Sequence, residues 1–435
     1  MLSSRIENAP IQKKSNTDFW NNFLVFLYII SLPIQEDIPT LLGFSISAVI
    51  AILMLIKIFS SSYSNRLIAV LKMPLTKALF AYIIVCSFLE SLHPSASYGG
   101  LLRIFSNYVG AICIATIITN EMGIKVLIFA YIISAIYLSI FLYFYGWEIA
   151  SISAAQTFSA ANNVRDELLS NVPITQNPNY MSYTIGVSIV VLLILILKKN
   201  QLLFIKPSFS YIIITALSIG LLLTMSRTGI IVMIITILFI MYYFHLFSFE
   251  RLIIIVFAGM LLYTVAPDSV KTRLKISNTE EMDEFGNQFE GDSRNVTFDE
   301  SLTEVTNNFF WGTGEGNLWG GEYLKHSKLV RFNEEKNTYK MSGSHNLIFQ
   351  NIIQWGVIAL FFFLAIFYNV LKIMPSRNNL DFNSIIVLVF NFAAIILMFF
   401  DHIGSNKEYS IAFSLAMTYD LLKKGKRQKL APATI

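Results

Sequence analysis

Long apolar runs dominate this chain, and its polar residues gather in the stretches between them. The runs lie at roughly 18–33, 41–59, 74–92, 101–119, 124–145, 179–197, 209–225, 228–247, 252–266, 347–370, 384–400 and 409–421. Most reach the roughly 17–25 residues that a helix needs to cross about 30 Å of hydrocarbon. Stretches such as Ile185 to Leu197 are apolar on every face, so the predicted element is a helix that satisfies its own backbone hydrogen bonds. The alternating segments of about ten residues that would build a transmembrane barrel are not the pattern here. The expected architecture is an all-α polytopic membrane protein with about twelve transmembrane helices and one large periplasmic loop containing helical segments.

Composition supports that reading. With 55% hydrophobic and only 14% charged residues, the 435-residue chain is too apolar to present a water-exposed globular surface. Its net charge of +4 is no argument for nucleic acid as a partner; membrane lipids are the expected surroundings. The cations set the orientation. Arg66 and Lys72, Lys125, Lys198 with Lys199 and Lys206, Arg251, Lys372 and Arg377, and the tail from Lys423 to Lys429 mark alternate connections as cytoplasmic. The polar N-terminus carries Arg5, Lys13 and Lys14 with no small-residue cleavage site after the first run, so that run is expected to be an uncleaved anchor. The division that follows is a cytoplasmic tail at 1–17, helices one to nine over 18–266, a periplasmic loop at 267–345, helices ten to twelve over 346–421, and a basic cytoplasmic tail at 422–435. Both termini are expected on the cytoplasmic side of the membrane. Cys86 and Cys113 fall inside predicted spans and read as small core residues rather than a disulfide.

Two connections are long for a helical bundle, and function is expected to concentrate there. One covers Gly146 to Pro178; the other runs from Pro267 to His345. Within the second, Arg294 to Asn308 has helical periodicity, with Val296, Phe298, Leu302 and Val305 near one face. A glycine-rich run, Trp311-Gly-Thr-Gly-Glu-Gly-Asn-Leu-Trp-Gly-Gly321, follows. No strand–turn–helix unit surrounds it, so a tight turn with aromatic anchors is expected instead of a dinucleotide fingerprint.

Several residues could carry chemistry. Arg227, in Thr224-Met-Ser-Arg-Thr-Gly229, stands between two apolar stretches, where a guanidinium is costly unless an anion or a water-filled cavity accommodates it; the other reading is an arginine snorkelling from a hairpin turn. Arg103 starts another span on the same side, and Arg294 opens the loop helix in Gly291-Asp-Ser-Arg-Asn295. His345 lies in Ser342-Gly-Ser-His-Asn-Leu-Ile, where the loop returns to the membrane. There an imidazole could exchange a proton, or simply be a polar residue at a helix end. His93, His245, His326 and His402 show no metal-ligand spacing, so no metal and no cofactor is expected. Asp401 and His402 at an outer span end read as ordinary interface residues or cavity lining. Lys57, Lys77 and Glu90 lie toward span ends, where snorkelling or water exposure accounts for them.

Four fragments in order, Asn177-Pro-Asn-Tyr180, Ser226-Arg-Thr-Gly229, Ser293-Arg294 with Gly312-Thr-Gly-Glu-Gly316, and His345-Asn346 with Trp355-Gly356, resemble the O-antigen ligase and polymerase superfamily of bacterial envelope glycosyltransferases. The resemblance implies transfer of a glycan from an undecaprenyl-diphosphate-linked donor to an acceptor hydroxyl, either on a lipid A core sugar or on another lipid-linked glycan. It implies Arg227, Arg294 and, more weakly, Arg103 on the diphosphate, with His345 and Arg294 as the catalytic pair. Inversion at the anomeric carbon, metal-independent chemistry and a chain-length-regulating partner belong to the same expectation. A ligase is favoured over a polymerase by the single large loop with its His-Asn re-entry. A flippase or transporter would call for broken helices, midplane charges and a repeat relating two halves, and none of these stands out.

Overall fold

The computed structural model describes residues 16–34, 45–60, 63–93, 97–152, 178–244, 266–274, 281–282, 288–289, 293–315, 330–333, 338–341, 346–375, 381–400 and 407–430, with scattered positions between 250 and 264. Among these residues the chain is predominantly helical. The first half supplies α1 (Asn16–Ile34), α2 (Ile46–Phe59), α3 (Ser64–Leu71), α4 (Pro74–Ser91), α5 (Gly99–Ile117) and α6 (Glu121–Ile152). Next come α7 (Pro178–Leu197), α8 (Pro207–Leu223), α9 (Arg227–Tyr243) and the short α10 (Asp268–Leu274). The large connection contributes β1 (Glu281–Met282), β2 (Gln288–Phe289), α11 (Ser293–Asn307), β3 (Val330–Asn333) and β4 (Thr338–Met341), and the chain ends in α12 (Leu347–Ile373), α13 (Phe382–Leu397) and α14 (Lys407–Leu430). A bounded helix overlaps each expected span except 252–266, where only scattered positions are described and most of those are helical.

Among the described residues, five helices are long and apolar enough to cross a membrane unaided: α4, α5, the Glu121–Trp147 part of α6, α7 and α12. The helical parts at Phe19–Pro33, Pro207–Leu223, Arg227–Tyr243 and Phe382–Leu397 are apolar but shorter. How these helices sit follows from their faces. On α7, residues Met181 to Leu192 are all buried, and the helix packs against α6, α8, α9 and α13. A helix with no polar face finds a stable place only at the centre. By contrast, α12 buries Leu360, Phe363, Phe367 and Val370 while exposing Phe361, Leu364, Tyr368 and Leu371 at helical spacing. A contiguous apolar stripe on a helix surface is stable against lipid rather than water. The protein is a membrane protein.

Three local results differ from the sequence reading. The connection between the second and third runs contains α3, whose Arg66 donates from Nε to the carbonyl of Ala115 at 3.3 Å and from its guanidinium to the carbonyl of Ile118. Those carbonyls end α5, where unsatisfied oxygens attract a cation. Beside its helical segment, the large connection holds two antiparallel hairpins that the sequence reading did not include, β1 with β2 and β3 with β4. Val330-Arg-Phe-Asn333 alternates apolar and polar residues with the period of two that suits a strand. Finally, α11 forms where expected, but Leu302 is exposed while Ser301, Glu304 and Val305 are buried; the side chains of Val296 and Phe298 lie outside the described residues. This helix packs on α12, and the carbonyl and carboxylate of its Glu304 accept from the side chain of Asn308.

Candidate active site

Two interlocks join the sequence fragments in pairs. The first is helical. The α8–α9 hairpin turns over Thr224, Met225 and Ser226, with Met225 at φ 50 and fully buried. Left-handed backbone at a bulky side chain costs about 1–2 kcal/mol, and it persists here because Thr224 and Met225 return their N–H groups to the carbonyls of Gly220 and Leu222. Ser226 then caps α9 in extended conformation and its Oγ donates to Asn179 Oδ1 at 2.8 Å, which ties this turn to the start of α7. One turn into each helix the backbones nearly touch: a Cβ on Gly229 would stand 2.1 Å from Ser182 Oγ. Small residues at a helix crossing permit that approach in lipid.

The product is a half-buried Arg227 at the first residue of α9. A helix N-terminus already carries partial positive charge, so an arginine there adds cation to cation. Such an arrangement suits an anionic ligand.

The second interlock joins the glycine-rich turn to a break in α12. Gly356 has φ 76 and ψ 176, a conformation open essentially to glycine alone. In an unbroken helix Val357 would donate to Ile353. Instead Val357 N donates to the carbonyl of Phe309 at 2.7 Å, while the freed carbonyls of Ile353 and Gln354 accept from Thr313 N at 2.8 Å and Gly314 N at 2.9 Å. Thr313 Oγ1 adds a bond to the Ile353 carbonyl at 2.9 Å. The fit is tight, since a Cβ on Gly356 would stand 2.0 Å from the Phe310 carbonyl oxygen. Gly312 and Gly314 take positive φ to make the turn, and the His93 ring packs on Gly314, where a Cβ would stand 2.6 Å from its Cδ2.

Beneath this turn lies Glu90, fully buried at the end of α4. Its Oε1 accepts from Ser97 N at 2.9 Å; its Oε2 accepts from Glu315 N at 2.5 Å and from the Trp355 indole Nε1 at 3.2 Å. The expectation that water or snorkelling accounts for Glu90 is therefore corrected: protein N–H groups solvate it, as burial of a carboxylate requires. The second carboxylate, Glu315, accepts from Gly100 N at 2.8 Å at the start of α5. Burial pushes the Glu315 carboxyl above its ordinary range; the charge of Glu90 adds to the rise, and the N–H of Gly100 and the Arg103 guanidinium oppose it. One turn below Glu90 and one above Tyr82, Cys86 is buried; the Tyr82 hydroxyl donates to Asn351 Oδ1 at 2.5 Å. A polar strip thus runs down the α4–α12 contact.

The sequence-derived site residues distribute as follows. Arg227 stands at the first interlock, while Arg103 is exposed on the first turn of α5 beside Glu315. Arg294 belongs to the first turn of α11, and its side chain lies outside the described residues. His345 also lies outside them, as do Asp401 and His402. The residue after His345 is fixed: Asn346 caps α12, its Oδ1 accepting from Ile348 N at 2.9 Å and Phe349 N at 3.3 Å, and Leu347 N donates to the Met398 carbonyl at 3.0 Å. Sequence reasoning missed Glu90. An acid within the apolar run from Leu79 to Leu92 was the available signal. Among the described residues no group of three or more His, Cys, Asp or Glu is placed to hold a metal ion.

Residues 211–364 match the family model described as O-Antigen ligase. No curated protein matches the chain. The matched stretch begins in α8 and ends in α12, so it includes Arg227, Arg294, the glycine-rich turn, His345 and the Trp355-Gly356 break. Over that domain this membrane protein is similar to the O-antigen ligase family.

Proposed function

We propose that the protein is a ligase-type glycosyltransferase that moves a glycan from undecaprenyl diphosphate to a hydroxyl of a lipid A core sugar, at the periplasmic face of a bacterial inner membrane. The observation that carries this reading is the match of residues 211–364 to O-antigen ligase, because Arg227, Arg294 and His345 all fall inside it. The orientation rests on cation placement: the hairpin bearing Arg227, the large connection at 267–345 and the re-entry at His345 lie on the side opposite the Lys/Arg-rich connections. Both chain termini are then cytoplasmic, with about twelve helices between them.

In the proposed reaction the acceptor oxygen attacks the anomeric carbon, the bond from that carbon to the diphosphate oxygen breaks, and undecaprenyl diphosphate departs. Attack opposite the leaving group inverts the anomeric centre. The acceptor hydroxyl gives its proton to His345. Arg227 and Arg294, with Arg103 in a lesser role, hold the diphosphate and neutralise the charge that grows as it leaves. Guanidinium groups can do this without a divalent ion, so the reaction is expected to be metal-independent.

Purified protein given a defined lipid-diphosphate glycan and a choice of acceptors tests the reading. Glycan on a lipid A core acceptor in the presence of EDTA is the expected result. Extension of a second lipid-linked glycan instead would assign a polymerase, which uses the same chemistry, and passage of the donor across a vesicle membrane with no new glycosidic bond would overturn the enzyme reading altogether.

A further inference from the structure

Glu90 is a buried acidic group that this reaction scheme does not use. A carboxylate removed from water is strongly destabilising unless donors replace its solvation, so its persistence in an apolar bundle calls for a reason. Its partners supply one. Ser97 belongs to the α4–α5 connection, Glu315 to the large connection and Trp355 to α12; they lie 7, 225 and 265 residues away in sequence, and all donate to this one side chain. Trp355 immediately precedes the Gly356 break and Glu315 immediately follows Gly314, so two of the donors sit beside the backbone bonds that lock the turn into the broken helix. The short segment of α12 between its cap at Asn346 and that break is thus fixed at both ends: by Leu347 N on the Met398 carbonyl, and by Trp355 on Glu90. His345 is the residue before this segment.

We infer that Glu90 is a positioning residue for transfer: by gathering Ser97, Glu315 and Trp355 it fixes the glycine-rich turn against the α12 break and so holds the segment of α12 that begins at its Asn346 cap, the residue that follows His345 in sequence. The inference rests on the proposed function. Glu90 touches no substrate in this scheme; it acts through backbone and indole N–H groups. The raised carboxyl of Glu315 fits the same picture, since two acids share the turn and only Glu90 receives three N–H donors from separate segments.

The test compares Glu90→Gln and Trp355→Phe with the unaltered full-length protein in detergent or nanodiscs. The amide keeps the size of the acid but turns one acceptor edge into a donor that faces an N–H group. A reacting group misplaced by about 1 Å can lower a rate on the order of 100-fold, so kcat should fall by that order in Glu90→Gln and less in Trp355→Phe. The KM for the lipid-diphosphate donor should stay within about threefold in both, because Arg227 is held by a different interlock. The double variant should lose less than the product of the single effects, as expected for two side chains sharing one bond.

A second measurement needs no activity. Thr313→Cys places a thiol at a buried position of the turn, and its maleimide labelling should be slow alone and several-fold faster when combined with Glu90→Gln. Unchanged kcat in Glu90→Gln, or unchanged labelling, overturns the inference. So does a rise in donor KM matching the fall in kcat. If Glu90→Gln does not accumulate, Trp355→Phe alone decides by the same criteria. Parallel His345→Ala and Arg227→Ala proteins separate the two failures: full activity in those sinks the proposed function, while their inactivity beside a fully active Glu90→Gln sinks only this inference.

Discussion

The two interlocks use glycine and polar side chains for opposite purposes. At the α7–α9 crossing, Gly229 has ordinary helical backbone and is small so that Ser182 can approach, and at the rim Ser226 reaches Asn179. Around Glu90, the glycines adopt positive φ, the helix is broken and its rungs are handed to another segment. The first joins regular elements by shape, and the second replaces regular hydrogen bonding with a specific exchange. A shape-based contact degrades gradually as volume is added, whereas an exchanged hydrogen-bond set fails together, since a freed carbonyl in an apolar site has no water to accept. Arg227 belongs to the first kind of scaffold and the α12 segment capped by Asn346 to the second.

The largest effect that bears on this contrast is expected from the arginine itself. Arg227→Ala should lower transfer by about 10²–10³-fold, the usual loss for one donor to developing transition-state charge, while the protein still accumulates in the membrane. Arg227→Lys should also lose most activity, because an ammonium cannot grip two phosphate oxygens as a planar guanidinium does. Glycan transfer by purified variants checks both, and a fully active lysine variant would reduce Arg227 to a point charge.

Gly356→Ala comes next. Holding alanine in that backbone conformation costs roughly 1–3 kcal/mol, and its Cβ collides with the Phe310 carbonyl. The expected result is a lower thermal midpoint in detergent together with loss of transfer. Unchanged stability would show that the exchange of rungs is dispensable.

Gly229→Ala should be milder than Gly356→Ala, because its backbone is already helical and only space is lacking. Ser182→Gly in the same protein removes the nearest clashing atoms and should restore part of the stability; no rescue would mean that the crossing is not limited by shape. The effects of Gly229→Ala and Gly356→Ala should add, since they act on separate scaffolds.

The smallest expected effect concerns pH. The Glu315 carboxyl lies above its ordinary range in the folded protein, so its ionisation opposes the fold. Stability should therefore be greatest below the ordinary carboxylate range and decline as pH rises from there to the raised folded value. Glu315→Gln keeps an oxygen for Gly100 N and removes the charge, so its thermal midpoint should fall less than that of the unaltered protein over the same interval. Parallel slopes would deny the carboxyl a role in the pH dependence.

Much of this was legible in the residues because membrane helices announce themselves locally. The apolar run from Ile185 to Leu197 predicts α7 without knowledge of any neighbour, since no other backbone arrangement satisfies its own groups in lipid. The fragments Ser226-Arg-Thr-Gly229 and Trp355-Gly356 could likewise be singled out one by one, and α11 could be placed to within a residue at each end. Its inward face was misjudged at Leu302, because periodicity locates a stripe but not which neighbour covers it. Glu90 escaped for a related reason: a lone acid near a span end looks the same in sequence whether water or protein solvates it.

The sequence by itself determined that the chain lives in lipid, where its helices run, and that a few arginines and a histidine stand where apolar runs meet polar ones. Those properties depend on neighbours in the chain, through helical hydrogen bonds and hydrophobic burial. Only the tertiary structure decided that Asn179 belongs with Ser226, that the glycine-rich turn completes a broken helix, and that a carboxylate from α4 ties that turn to Trp355. Such pairings depend on donors and acceptors meeting across hundreds of residues, and the local pattern carries no record of which carbonyl a break will leave free.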